Sequence, residues 1–235
     1  CGTDRALDQA YEMRYNPHKI YRVSGMILRP EFYRKFDGDR AAERERLGLR
    51  PDLPTGIMLF GGQGSWRMLD LARRLEASTR PLQLILICGR NERLAERARR
   101  LNTRFPMHVV GFTREVPNFM HLSDFFIGKP GPGSISEALA MKLPVLIERN
   151  AWTLAQERYN AEWVRDKGVG IVVENFRDIA AAVDQLLEPN AFAGFRERAG
   201  RIRNRAVFEI PDILQRILAG NEDNDNPLAE RADSR

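Results

Sequence analysis

Long apolar runs are missing from this sequence. No stretch reaches 18 consecutive apolar residues, which excludes a membrane-spanning helix of ordinary length. Cysteine is scarce, with Cys1 and Cys88 alone in 235 residues, so there is no disulfide framework and no metal-ligand spacing. That pattern fits a reducing compartment, and Cys88, at the end of an apolar run, is expected as a buried thiol. There is no initiator methionine and no apolar signal region at the start. The expectation is a fragment whose fold continues upstream of Cys1. The phosphate loop ending in Gly-Lys-Ser/Thr is absent, and no Asp-x-Asp motif falls near the strand ends identified below. Only three histidines occur; His108 and His121 are expected to be packing or surface residues rather than catalysts.

What is present is basic and ordinary in composition, with 43% hydrophobic and 29% charged residues and a formal charge of +5. The tail at 221–235 carries five acids and two bases, so the rest of the chain carries the excess of positive charge. Such a body attracts anions, whether nucleotide, acidic lipid or nucleic acid. The sequence has no aromatic-basic motif of the nucleic-acid-binding kind, so nucleic acid is not expected as a partner.

Short apolar runs set the fold class. Segments 57–60, 82–88, 107–110, 125–127, 144–147 and 170–173 read as buried strands. Between them, 67–77, 92–102, 116–122, 134–141 and 155–166 read as helices, followed by helices near 176–187, 191–206 and 210–219. Strict alternation of this kind predicts an α/β fold with a doubly wound parallel sheet, whose ligands bind beyond the carboxyl ends of the strands. Residues 1–54 form a lead-in punctuated by prolines, with a short strand at 19–23 and a short helix at 41–47. The tail at 221–235 is expected to be disordered.

Four constellations fall at those strand ends. Gly61-Gly62-Gln63-Gly64 joins the first strand to a helix, where glycines let backbone approach a phosphate and the helix N-terminus adds positive potential. A ligand-free tight turn is the plainer reading. As a dinucleotide fingerprint it is incomplete, because Arg67 stands at the third glycine and the next strand ends in Cys88-Gly89-Arg90 rather than an acid. NADP is disfavoured on that ground without being excluded. Gly128-Lys129-Pro130-Gly131-Pro132-Gly133-Ser134 joins the fourth strand to its helix, so two glycine-rich turns share one edge. Ser134 and Glu137 have the spacing of a capping box; alternatively Glu137 accepts hydrogen bonds from ribose hydroxyls. Gln156 and Glu157 open a helix, either as acceptors for paired sugar hydroxyls or as an acid favoured by the helix dipole. Phe112, after the third strand, either covers a nucleobase or packs in the core.

Taken in order, Gly-Gly-x-Gly, Gly-Phe, Gly-Pro-Gly-Ser-Ile-x-Glu-Ala and Gln-Glu-x-x-Asn resemble the C-terminal domain of monogalactosyldiacylglycerol synthases and bacterial diacylglycerol glucosyltransferases. The layout is also similar to the peptidoglycan N-acetylglucosaminyltransferase. The lead-in Gly25-Met26-Ile27-Leu28-Arg29-Pro30-Glu31-Phe32 resembles the interdomain segment of that family. The resemblance implies the Rossmann-like C-terminal half of a B-type glycosyltransferase, with 55–220 as the nucleotide-sugar-binding domain. It implies that Gly62 and Gly64 border the diphosphate, that Phe112 and Thr113 flank the uracil, and that Glu137 binds the ribose. Gly133 and Ser134 would meet phosphate, and Gln156 and Glu157 would hold the donor sugar. Gln63 and Trp152-Thr153-Leu154 depart from the family pattern, which leaves the sugar open.

The activity implied is inverting, metal-independent transfer of a hexose from a UDP-sugar to a lipid acceptor such as diacylglycerol. UDP-sugar is then a co-substrate, with no cofactor. The catalytic base and the lipid site are expected upstream of Cys1, in an N-terminal domain. The implied location is cytoplasmic and peripheral to the membrane. Arginine-rich helices at 93–104 and 196–205 suggest an anionic membrane surface as a further partner, or else solvated helix faces. Two other readings stay open: a UDP-sugar-binding module without catalysis of its own, and a UDP-sugar epimerase.

Overall fold

The structure is a computed structural model that describes residues 1–220; the tail expected to be disordered lies outside the described residues. Its strands are β1 (Thr55–Leu59), β2 (Gln83–Ile87), β3 (Met107–Val110), β4 (Phe125–Gly128), β5 (Val145–Glu148) and β6 (Gly170–Val173). Its helices are α1 (Asp4–Glu12), α2 (Arg40–Arg46), α3 (Arg67–Arg74), α4 (Glu92–Arg99), α5 (Val116–His121), α6 (Pro132–Ala140), α7 (Ala155–Lys167), α8 (Ile179–Leu186), α9 (Pro189–Arg201) and α10 (Ala206–Leu218). The strands form one parallel sheet in the order β3-β2-β1-β4-β5-β6. This is the Rossmann-like doubly wound sheet expected from the sequence, and each strand lies within two residues of its expected bounds.

Two compact units make up the chain: 31–202, with the sheet and α2 to α9, and a smaller one from 1–30 and residues after 202. In the larger unit every residue of β1, β2, β4 and β5 is buried, which is why these strands read as continuous apolar runs rather than as alternation. The edge strands β3 and β6 are half-buried. Helix α3 turns Met68, Leu71 and Ala72 onto the sheet, and the 3₁₀ turn that continues it adds Leu75. Burying each such side chain is worth about 1.5–3 kcal/mol.

The amino edge of the sheet is closed by a polar network. Asp124 accepts hydrogen bonds from Arg40 (2.8 Å), Arg44 (2.6 Å) and the Thr55 N–H (2.8 Å). Arg44 is buried and also donates to the Leu122 carbonyl at 2.9 Å. The Gln83 side chain donates to the Arg50 carbonyl (2.6 Å) and to the Thr55 hydroxyl (2.9 Å). Asp39, part of an Asp-Gly-Asp triplet, caps α2 by accepting from the Ala41 N–H.

The smaller unit corrects the sequence reading in one place. The strand expected at 19–23 is not there. Pro17–Lys19 is a 3₁₀ turn capped by the Asn16 side chain, and no strand follows it. Ile20 is buried because it packs on Leu7 of α1, not because it lies in a sheet. Helix α1 itself begins at a threonine cap, Thr3, which accepts from the Ala6 N–H. Within this unit the Ser24 N–H donates to Glu209 (2.7 Å), and the Asn204 side chain donates to the Met26 carbonyl (2.8 Å).

Candidate functional site

The strand order places the topological switch point between β1 and β4, and both glycine-rich turns flank it. The first turn is shaped by close backbone contact with the β2 end. Gly64 has φ +62°, and a β-carbon there would overlap the Cys88 carbonyl oxygen. Gly89, with φ +61°, meets the Gly62 carbonyl in the same way, and the Arg90 N–H donates to that carbonyl at 2.9 Å. Gly64 is therefore required by packing as well as by any ligand, whereas a β-carbon on Gly62 would meet nothing within 4 Å.

The second turn settles the reading of Ser134. Helix α6 starts at Pro132, with Gly131 as its N-cap and no side chain capping it. Ser134 is thus the third helical residue, so the capping box is excluded. The reason is Pro132, whose fixed φ and missing N–H suit the first helical position. Gly133 and Glu137 are four residues apart and share a face of α6. Helix α7 comes down on this turn: Asn160 donates to the Pro130 carbonyl at 2.8 Å, and Glu157 lies beside Gly131. The sequence blocks Gly-Pro-Gly and Gln-Glu-x-x-Asn are therefore neighbours in space, joined by the Asn160 side chain and the carbonyl of Pro130, which precedes Gly131.

A cleft of about 880 Å³ opens at this edge. Ser65, Lys129, Pro130 and Glu157 line it, together with Arg67, Glu148, Trp152, Phe176 and Arg177. Gln156 is exposed at the start of α7 and is not part of the lining. Phe112 and Thr113, past the edge strand β3, also lie outside it, and so do Gly62, Gly64, Gly133, Ser134 and Glu137. Phe112 is 55% exposed rather than in the core, with the Arg90 guanidinium 5.0 Å from its ring centre. The Thr113 hydroxyl accepts from the Glu115 N–H at 2.9 Å.

Two residues of this site were not picked out from the sequence. Glu148, at the end of β5, accepts two hydrogen bonds from Arg67, each 2.8 Å, and a third from the Phe176 N–H at 2.9 Å. Burial works to raise its carboxyl, but Arg67, the Phe176 N–H and Asn150 prevail and hold it below the usual glutamate value. The hydrogen bond to Glu148 in turn raises Arg67. Two sequence signals pointed here: an acid ending an apolar strand at the ligand edge, and a cation opening a helix, where the dipole disfavours it.

The model of the glycosyltransferase family 28 C-terminal domain matches residues 57–216. The chain belongs to glycosyltransferase family 28. Monogalactosyldiacylglycerol synthase from Spinacia oleracea, a chloroplastic protein, is 30% identical to this family 28 chain over 198 residues, covering 81% of the chain and 37% of the relative. The chain thus spans about two fifths of the length of the curated relatives it matches. Among solved structures, MurG from Acinetobacter baumannii superimposes with a TM-score of 0.63 at 16% identity, over 83% of this chain and 56% of that one. A putative UDP-N-acetylglucosamine 2-epimerase from Listeria monocytogenes gives 0.67 at 18% identity, over 96% and 60%. At such identities the likeness is one of fold.

His108 and His121 of this family 28 chain pack against neighbouring groups. His108 sits 3.1 Å from the Leu47 carbonyl, and His121 stacks on Phe36 at 4.4 Å. Burial lowers both below the ordinary histidine value. No helix among the described residues is long and apolar enough to cross a membrane. In the arginine-rich helices, Arg198 donates to the Gly168 carbonyl, Arg201 pairs with Glu197, and Arg97 lies over the Trp66 ring.

Proposed function

We propose that this chain is the donor-binding half of an inverting glycosyltransferase that moves a hexose from a UDP-sugar to a lipid acceptor such as diacylglycerol. The observation that carries the reading is the uncapped N-terminus of α6 at the switch point, with Glu137 on its face and Glu157 beside it. Backbone N–H groups there suit the diphosphate, and the carboxylates suit ribose and sugar hydroxyls. In this reading Gly62, Gly64, Gly133 and Ser134 border the phosphates, Phe112 and Thr113 take the uracil, Glu137 the ribose, and Gln156 and Glu157 the sugar. The departing UDP is stabilised by helix N-termini and cationic side chains, so the chemistry needs neither metal nor cofactor.

Further support comes from the family and from the name of the spinach relative. The acceptor lipid, the base and the membrane surface belong to the longer enzyme, which would act from the cytoplasmic face as a peripheral protein. Calorimetry with UDP and with NADP tests the donor reading. UDP is expected to bind the 235-residue chain and NADP not to; tighter binding of NADP would overturn it. A second assay concerns incompleteness: the chain alone is expected to give no transfer to diacylglycerol. Transfer by the purified chain would refute that part.

A further inference from the structure

The Arg67–Glu148 pair stands at the switch point, yet sequence comparison and turn geometry alone give it no role. Its two members are unequal. The Glu148 side chain is 8% exposed and the Arg67 side chain 52% exposed. Glu148 is saturated by the Arg67 fork and the Phe176 N–H, so it has little left to offer a ligand. Arg67 uses two of its five N–H donors on Glu148 and lies 6.0 Å from the Phe176 ring centre. A guanidinium gripped along one edge has its plane fixed, and Arg67 lines the cleft with donors that Glu148 does not use.

Arg67 is also the first residue of α3, and its own N–H donates to the Ser65 hydroxyl at 3.4 Å. A cation there is opposed by the dipole unless an anion is close. Glu148 supplies one anion from the protein side. Of the other cations on the cleft wall, Arg74 is paired with Asp70 at 2.6 Å, two turns further along α3, and Lys129 and Arg177 lie on other turns. Arg67 is the one that the fold holds at the mouth of the first glycine turn.

We infer that Arg67 recognises the anionic diphosphate of the ligand, and that Glu148 is the positioning residue that aims it. The inference rests on reading the cleft as a nucleoside-diphosphate-sugar site. The competing account makes the pair a structural tie between α3, β5 and the turn at Phe176.

Binding of UDP, uridine and inorganic pyrophosphate to the 235-residue chain separates the accounts, with Arg67→Lys and Glu148→Gln as variants. Arg67→Lys keeps a cation for Glu148, so the fold is preserved, while the fork is lost. The expected result is a loss of roughly tenfold to a hundredfold in UDP and pyrophosphate affinity, the scale of a hydrogen bond to a charged group, with uridine unchanged. Glu148→Gln should weaken UDP in the same sense by less, again sparing uridine. Lowered melting temperatures with unchanged UDP affinity would establish the structural tie and overturn the inference. Pyrophosphate binding that depends on Arg67, without UDP binding, would keep Arg67 and remove the uridine reading. UDP binding indifferent to Arg67 would do the reverse, and failure to bind either ligand would remove both.

Discussion

The two ends of the parallel sheet are built on opposite rules. At the amino edge, polar groups are satisfied by the protein itself: Asp124 takes two arginines and a backbone N–H, and Gln83 reaches a carbonyl and a hydroxyl. At the carboxyl edge, helix α6 begins without a side-chain cap, and Phe112 and Trp152 are 55% and 92% exposed. The strands are the same at both ends, so the sheet does not set the difference. A saturated edge serves folding, and the exposed groups of the other edge are those that the proposed ligand would meet.

The largest expected effect tests the saturated edge. Asp124→Ala leaves Arg44 buried without its carboxylate and should cost about 3–5 kcal/mol of stability. Chemical denaturation measures it, and a loss below 1 kcal/mol would mean the amino edge is not a structural lock. Gly64→Ala asks how far the ligand edge also serves folding. With φ at +62° and the Cys88 carbonyl in the way, the loss should be about 3 kcal/mol. A variant as stable as the parent would show the turn to be plastic.

Glu137→Ala sharpens the contrast from the other side. UDP affinity should fall by about 2 kcal/mol, as for a hydrogen bond to a charged group, a larger loss than any in folding stability. The reverse pattern would return Glu137 to a purely structural role. The smallest effect concerns acid. Glu148 is held below its ordinary value when folded, so its contribution is present above the unfolded value of about 4.3 and fades as pH falls through the folded one. The stability gap between wild type and Glu148→Gln, about 1 kcal/mol at neutral pH, should therefore close on acidification. A gap that widens toward low pH would contradict the sign.

Much of this contrast was legible in the sequence, and the rest was hidden for specific reasons. The strands showed because buried parallel strands are short apolar runs bounded by glycine or proline. The first helix is harder to read because its apolar stripe is short, with Leu7 buried and Ala10 and Tyr11 packed beside it. The false strand at 19–23 arose because Ile20 and Val23 imitate a short pairing segment, whereas the burial of Ile20 comes from Leu7. At the site, the glycine turns and Glu137 stood in contiguous motifs. Arg67 and Glu148 did not, being 81 positions apart and joined only once β1 and β5 enter one sheet. Ser134 shows how a motif can mislead: its spacing to Glu137 matched a capping box, but Pro132 had already started the helix.

The strand order also bears on how the chain acquires its shape. Five pairings make up the sheet, and four of them join strands adjacent in sequence. The pairing of β1 with β4 joins strands separated by β2 and β3. Each three-strand half can therefore assemble from local crossovers as it leaves the ribosome, and the long-range β1–β4 seam closes after Gly128 has been made. Loop-closure entropy makes that seam the slow step. The cleft lies along the same seam, so a ligand held there grips both halves at once and favours the closed sheet by mass action. Added during refolding, it should slow the reopening of the seam more than it speeds the formation of either half.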